Sequence, residues 1–85
     1  MIVRITIKYN GKYIVKAGML SEKIEVNDNI GEAYQSIMRY LKLHYAMEPP
    51  FLLMVRDMHV MGAIKKDIKL KEGDIFSVLP FLSGG

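Results

Sequence analysis

Residues 27–45 read NDNIGEAYQSIMRYLKLHY, and their apolar positions keep a different interval from the rest of the chain. Ile30, Ala33, Tyr34, Ile37, Leu41 and Tyr45 share one face when the segment is wound at 3.6 residues per turn. Asn29 is placed to cap the helix, because its short side chain can accept from a free amide of the first turn. Glu32, three residues on, completes the pattern of a capping box. Gly31 weakens the first turn by about 1 kcal/mol relative to Ala. Tyr40, Leu43 and Met47 form a second, partly apolar stripe, read as the rim of the core. Glu48-Pro49-Pro50 ends the helical region, since proline disfavours helix at the residue before it and lacks an N–H.

On either side of this helix the period is two. In IVRITIKY, Val3, Ile5, Ile7 and Tyr9 alternate with Arg4, Thr6 and Lys8, the pattern of a strand with one face in a core and one in water. Asn10-Gly11 follows, a strong hairpin signal, because a type I′ turn needs positive φ at both central residues. A tight hairpin is therefore expected, with a second strand from Lys12 to about Lys16, a bulge or turn at Gly18, and KIEV continuing as extended chain. Beyond the helix, FLLMV is apolar on both faces, as suits a buried strand. MHVMGAI reads as a shorter strand with a turn near Gly62, KEGD as a turn, and IFSVLP as the last strand. A hairpin, one helix and further strands form an α+β chain: a mixed sheet of four to five strands packed on one main helix, with the first and last strands as its central pair.

The chain has 85 residues, 51% of them hydrophobic and 25% charged, a globular composition that makes one small domain. It has no Cys, which excludes disulfides, thiolate metal sites and a cysteine nucleophile, and fits a cytoplasmic location. No apolar run approaches the ~20 residues needed to span a membrane. The net charge of +3 is mildly basic. Lys65, Lys66, Lys69 and Lys71 cluster, read as a solvated face, and the aromatic-rich basic motif of an RNA reader is missing, which argues against nucleic acid. His44 and His59 are the only histidines and lack metal-ligand spacing, so no metal is expected. Asp57 and His59 read as a surface hydrogen-bonding pair, Ser83 has no base to activate it, and no helix opens after NG or KEGD to make a phosphate cradle.

The end of the chain, LKEGDIFSVLPFLSGG from Leu70 to Gly85, resembles the C-terminal signature of the MoaD/ThiS sulfur carriers: a Gly-Asp turn, an apolar strand, a proline, a small residue and terminal Gly-Gly. The order of elements along the whole chain is similar to the ubiquitin-like β-grasp fold of that superfamily. The resemblance implies a β-grasp domain over residues 1–80 and a flexible carrier tail over 81–85. It implies that an adenylating enzyme of the ubiquitin-activating type couples the Gly85 carboxylate to AMP, using ATP. A sulfur donor then converts it to a thiocarboxylate, and the sulfur passes to a molybdenum or tungsten pterin cofactor or to thiamine. The partners so implied are the adenylating enzyme, the sulfur donor and either a molybdopterin synthase large subunit or a thiazole synthase. The carrier itself is expected to hold no permanent cofactor. This chain departs from the resemblance in having Phe81 where a second proline is usual and Leu82 where a small aliphatic is common. Two other readings stand beside it: a ubiquitin-like modifier forming isopeptide bonds through Gly85, and a non-catalytic β-grasp binding module.

Glycines lack Cβ, so Gly84-Gly85 suits threading through a narrow channel. Ser83, Leu82, Phe81 and Pro80 are expected to contact the partner with them. Because one helix covers only one face of a sheet, some apolar strand residues should stay exposed and mark an interface. The expected patch is Phe76 and Val78 with Leu52 or Met54, running on into Phe81 and Leu82.

Overall fold

The computed structural model describes residues 1–81. Its elements run β1 (Ile2–Tyr9), α1 (Lys12–Ala17), β2 (Ser21–Asn27), α2 (Ile30–Tyr45), β3 (Leu52–Val55), β4 (Met58–His59), α3 (Val60–Lys65) and β5 (Ile75–Leu79). The strands form one mixed sheet in the order β2-β1-β5-β3-β4. β1 and β5 are its central, parallel pair, and β2 and β3 flank them antiparallel.

The sheet has one covered face and one open face. Val3, Ile5, Ile7 and Tyr9 of β1 point to the covered face and are buried, while Arg4 and Lys8 are exposed on the other. Pairing carries this choice across the sheet. Ile7 lies beside Phe76 and Tyr9 beside Val78, and Val78 and Phe76 in turn oppose Leu53 and Val55. Helix α2 covers that face with Ile30, Ala33, Ile37 and Leu41, all buried. Half of the expected capping box is made: the Asn29 side chain accepts from the Glu32 amide at 3.0 Å, but the Asn29 amide donates to Asn27 Oδ1 at 2.8 Å and not to the Glu32 carboxylate. Its end comes at Ala46, which takes the left-handed conformation (φ 55°) before the prolines are reached. Of the second stripe, Met47 is buried and Tyr40 half-buried, but Leu43 is 75% exposed.

Three expectations of local structure are corrected. Asn10-Gly11 does not make a two-residue hairpin: Gly11 has φ 59° and ψ −134°, far from a type I′ turn, and Lys12–Ala17 is the helix α1. Tyr13 and Ala17, four residues apart, are buried on one face of α1, so a helical spacing within KYIVKA outweighs the turn signal. MHVMGAI supplies only the two-residue β4 before turning into α3, whose Val60 and Ala63 are buried at a spacing of three. FLLMV is buried on one face only: Leu53 and Val55 are covered, and Leu52 and Met54 are half-exposed.

Candidate functional site

The open face of the sheet lies opposite α2. On β5 the outward residues are Ile75, Ser77 and Leu79, and Leu79 and Ser77 stand directly across from Leu52 and Met54 of β3. Ile75 is 51% exposed, and Leu52, Met54 and Leu79 are half-exposed. These four residues make an apolar strip that runs toward the end of β5. Lys8 and Asn10 of the β1 end line the same shallow groove on the other side. Beyond Leu79, Pro80 has no N–H with which to continue the ladder, and Phe81 follows with 49% of its surface exposed.

Two members of the expected patch are on the wrong side of the sheet. Phe76 and Val78 are each 0% exposed and sit under α2 in the core. Successive residues of a strand point to opposite faces, and the pairings with Ile7 and Tyr9 place Phe76 and Val78 with the buried set. Leu52 and Met54 are on the open face, Pro80 is half-buried with its ring against Gly11, Phe81 is exposed beyond it, and Ile75 and Leu79 take the positions given to Phe76 and Val78. Leu82, Ser83, Gly84 and Gly85 lie outside the described residues.

The Gly-Asp turn of the C-terminal signature is a latch that fixes the start of β5. Gly73 has φ 87°, which favours glycine, and its amide donates to the Arg4 carbonyl at 2.9 Å. The Asp74 carboxylate accepts two bonds from the Arg56 guanidinium, at 3.1 and 2.8 Å, and one from the Lys71 amide at 2.7 Å. The Arg56 bond holds this carboxyl below its ordinary pKa, against the opposing effect of burial.

A second polar cluster gathers residues that lie far apart in the sequence. Glu22 of β2 lies on the covered face of the sheet, across from Ile7. Three phenols donate to it: Tyr9 at 2.6 Å, Tyr40 at 2.5 Å and Tyr45 at 2.5 Å. Burial pushes the Glu22 carboxyl up, but the three hydrogen bonds outweigh it and the net pKa is lowered. The Tyr9 hydroxyl is pushed up by burial and by the Glu22 bond; the Tyr40 hydroxyl is pushed up by the Glu22 bond and by burial. The cluster ties the edge strand to the last turns of α2. Sequence offers only a faint signal for it, a charged residue at a position whose strand neighbours in alternation, Ile24 and Val26, are apolar.

The remaining candidates are structural or solvated. His59 accepts from the Met61 amide through Nδ1 at 3.1 Å and caps α3, so it is not paired with Asp57, which sits in the β3–β4 turn with φ 62°. His44 lies against the Tyr40 ring at 4.2 Å. Lys65, Lys66, Lys69 and Lys71 are exposed, and Lys69 approaches Asp28 at 3.6 Å. Among the described residues no three His, Asp or Glu side chains group as metal ligands, and no helix is long and apolar enough to cross a membrane.

No protein-family model and no curated protein matches the chain. Solved structures do. The HVO 2177 protein of Haloferax volcanii is similar with a TM-score of 0.70 and 18% identity, over 99% of this chain and 88% of that one. The small archaeal modifier protein 1 of Methanosarcina acetivorans is similar with a TM-score of 0.66 and 15% identity, over 100% of this chain and 99% of that one. A Pyrococcus furiosus protein described as molybdopterin converting factor, subunit 1, is similar with a TM-score of 0.63 and 18% identity, over 93% and 99%. At these identities the likeness is one of fold. The five-stranded mixed sheet on one long helix, with parallel first and last strands at its centre, has the ubiquitin-like β-grasp fold of these neighbours.

Proposed function

We propose that this chain is a sulfur carrier whose reactive group is the carboxylate of Gly85. The observation that carries the proposal is the course of the last segment. The latched Gly-Asp turn starts β5 at the centre of the sheet, and β5 delivers Pro80 and exposed Phe81 beside an open apolar strip. The neighbour described as a molybdopterin converting factor subunit supports the same reading by fold.

The chemistry needs nothing from the chain except its end. In the active site of an adenylating partner, a carboxylate oxygen of Gly85 attacks the α-phosphorus of ATP. Pyrophosphate leaves and an acyl adenylate forms. A sulfur nucleophile from the donor then attacks the acyl carbon and AMP leaves. Where that nucleophile is a donor persulfide, a second thiol then attacks the donor-side sulfur of the acyl disulfide, ends as a disulfide with it, and releases the chain as a thiocarboxylate. ATP belongs to the partner, and the chain holds no cofactor. The strip of Leu52, Met54, Ile75 and Leu79, continuing to Phe81, is the surface on which the partner seats. A large subunit of the molybdopterin-synthase kind, or a thiazole synthase, then accepts the loaded chain.

A modifier reading has one observation in its favour, the likeness to a small archaeal modifier protein. There the same acyl adenylate would be captured by a lysine amine of another protein as an isopeptide. Intact-mass analysis after incubation with the adenylating enzyme, ATP and a sulfur donor separates the readings. Exchange of one oxygen for sulfur at the C-terminus is the expected result. Adducts on other proteins would favour the modifier. No change of mass, with function retained after removal of Gly84 and Gly85, would sink both and leave a binding module.

A further inference from the structure

The Asn10-Gly11 pair, which does not form the hairpin turn it signals, is wrapped around the exit of β5. β1 and β5 pair as far as Tyr9 and Val78, and there β1 turns away, the Tyr9 amide donating to the Leu20 carbonyl on the β2 side. The Asn10 side chain continues the ladder in its place. Its amide Nδ2 donates to the Val78 carbonyl at 3.1 Å, and the same nitrogen lies 3.4 Å from the Lys8 carbonyl. That bond fixes the plane of the peptide joining Val78 to Leu79. One residue further, Gly11 meets the ring of Pro80: a Cβ at Gly11 would lie 3.1 Å from Cγ and 3.4 Å from Cδ. Its backbone, with φ 59° and ψ −134°, is also one that residues bearing Cβ rarely adopt.

The pair is braced from behind. The carbonyls of Asn10 and Gly11 accept from the amides of Tyr13 and Ile14 in the first turn of α1. Tyr13 is buried edge-on against Phe51, at 5.7 Å between centroids, just before β3. α1 thus anchors the pair to the core of the sheet.

We propose that Asn10 and Gly11 form a collar that sets where, and in which direction, the terminal segment leaves the body, and that they are positioning residues for the reaction at Gly85. The physical reason is the cost of ordering a chain on binding. A segment that leaves the sheet in a set direction starts closer to its threaded path than one that swivels from Leu79. The catalytic half of this proposal rests on the carrier reading; the geometric half does not.

The test uses the full chain, labelled with ¹⁵N. Asn10→Ala removes the donor, Asn10→Asp keeps its shape but turns an acceptor toward the Val78 carbonyl, and Gly11→Ala adds the missing Cβ. Residual dipolar couplings are measured at the amides of Leu79 and Phe81, the latter with its order parameter, and at Ile5, Ile37 and Leu53 as references. All three variants should change the couplings at Leu79 and Phe81 and leave the references in place. In the adenylation reaction the KM for each variant should rise by about fivefold, the equivalent of one hydrogen bond, with kcat retained. If Gly11→Ala does not fold, the two Asn10 variants decide. Couplings and order parameter unchanged at Leu79 and Phe81 in both Asn10 variants overturn the collar. Changed couplings with an unchanged KM overturn the positioning role. If the wild-type chain is not adenylated at all, the carrier reading fails, and the couplings by themselves uphold or overturn the collar.

Discussion

The two faces of β5 are made from one run of five residues, Ile75–Leu79, yet they have opposite surroundings. Phe76 and Val78 are sealed under α2, and Ile75, Ser77 and Leu79 stand on the open side. Nothing in the residue types separates the sets, since both contain large apolar side chains. What separates them is register. β5 lies parallel to β1, so Phe76 falls beside Ile7 and Val78 beside Tyr9, and the sharply alternating β1 imposes its own division between core and water. An apolar side chain in this sheet is thus core or interface by its phase relative to β1, not by its hydrophobicity.

This contrast can be broken most forcefully from the buried side. Phe76→Ala should cost about 4 kcal/mol through lost burial and a cavity under α2, read as a shift of the urea midpoint. Its binding to a partner should fail only under conditions that unfold it. A wild-type-like midpoint for this variant would mean that Phe76 is not covered as described.

The next effect tests the covered face at its polar edge. Glu22→Ala leaves three phenols without their shared acceptor, and should cost about 2 kcal/mol given the site's partial exposure. Glu22 and Asp74 are both held below their ordinary values in the fold. A lowered folded-state pKa means that the stabilisation is complete above the unfolded carboxylate range, near pH 4, and disappears as pH falls through the folded values. Urea unfolding at a series of pH values should show the wild-type chain losing stability in that acid window. The gap between it and Glu22→Ala should close there; a gap that persists to the lowest pH would mean that the charge on Glu22 is not what the phenols hold.

The smallest change in stability is expected on the open face, where the contrast is sharpest. Leu79→Asp and Leu52→Asp, at directly opposed positions, should each cost about 1 kcal/mol or less. Each should nonetheless weaken binding to the adenylating enzyme by about tenfold or more, as loss of a central apolar contact does. Calorimetric titration beside thermal melts would show it. Unaltered binding in both variants would move the partner surface off this face.

Much of this architecture is legible in local patterns. The 3.6-residue period of Ile30, Ala33, Ile37 and Leu41, the Asn29 cap, the alternation of β1 and the Gly-Asp turn each depend on neighbours within a few residues, and each is found in the fold. Asn10-Gly11 shows where such reading stops. The same dipeptide satisfies a tight turn locally, but the burial of Tyr13 and Ala17 and the ring of Pro80, sixty-nine residues along from Gly11, draw it into another conformation. The division of β5 between core and open face, the convergence of Tyr9, Tyr40 and Tyr45 on Glu22, and the meeting of Asn10 with Val78 all join residues far apart in the chain. Periodicity along a segment states which residues share a side. Only pairing with a distant strand, and the long helix α2 that covers the sheet, states which side is inside.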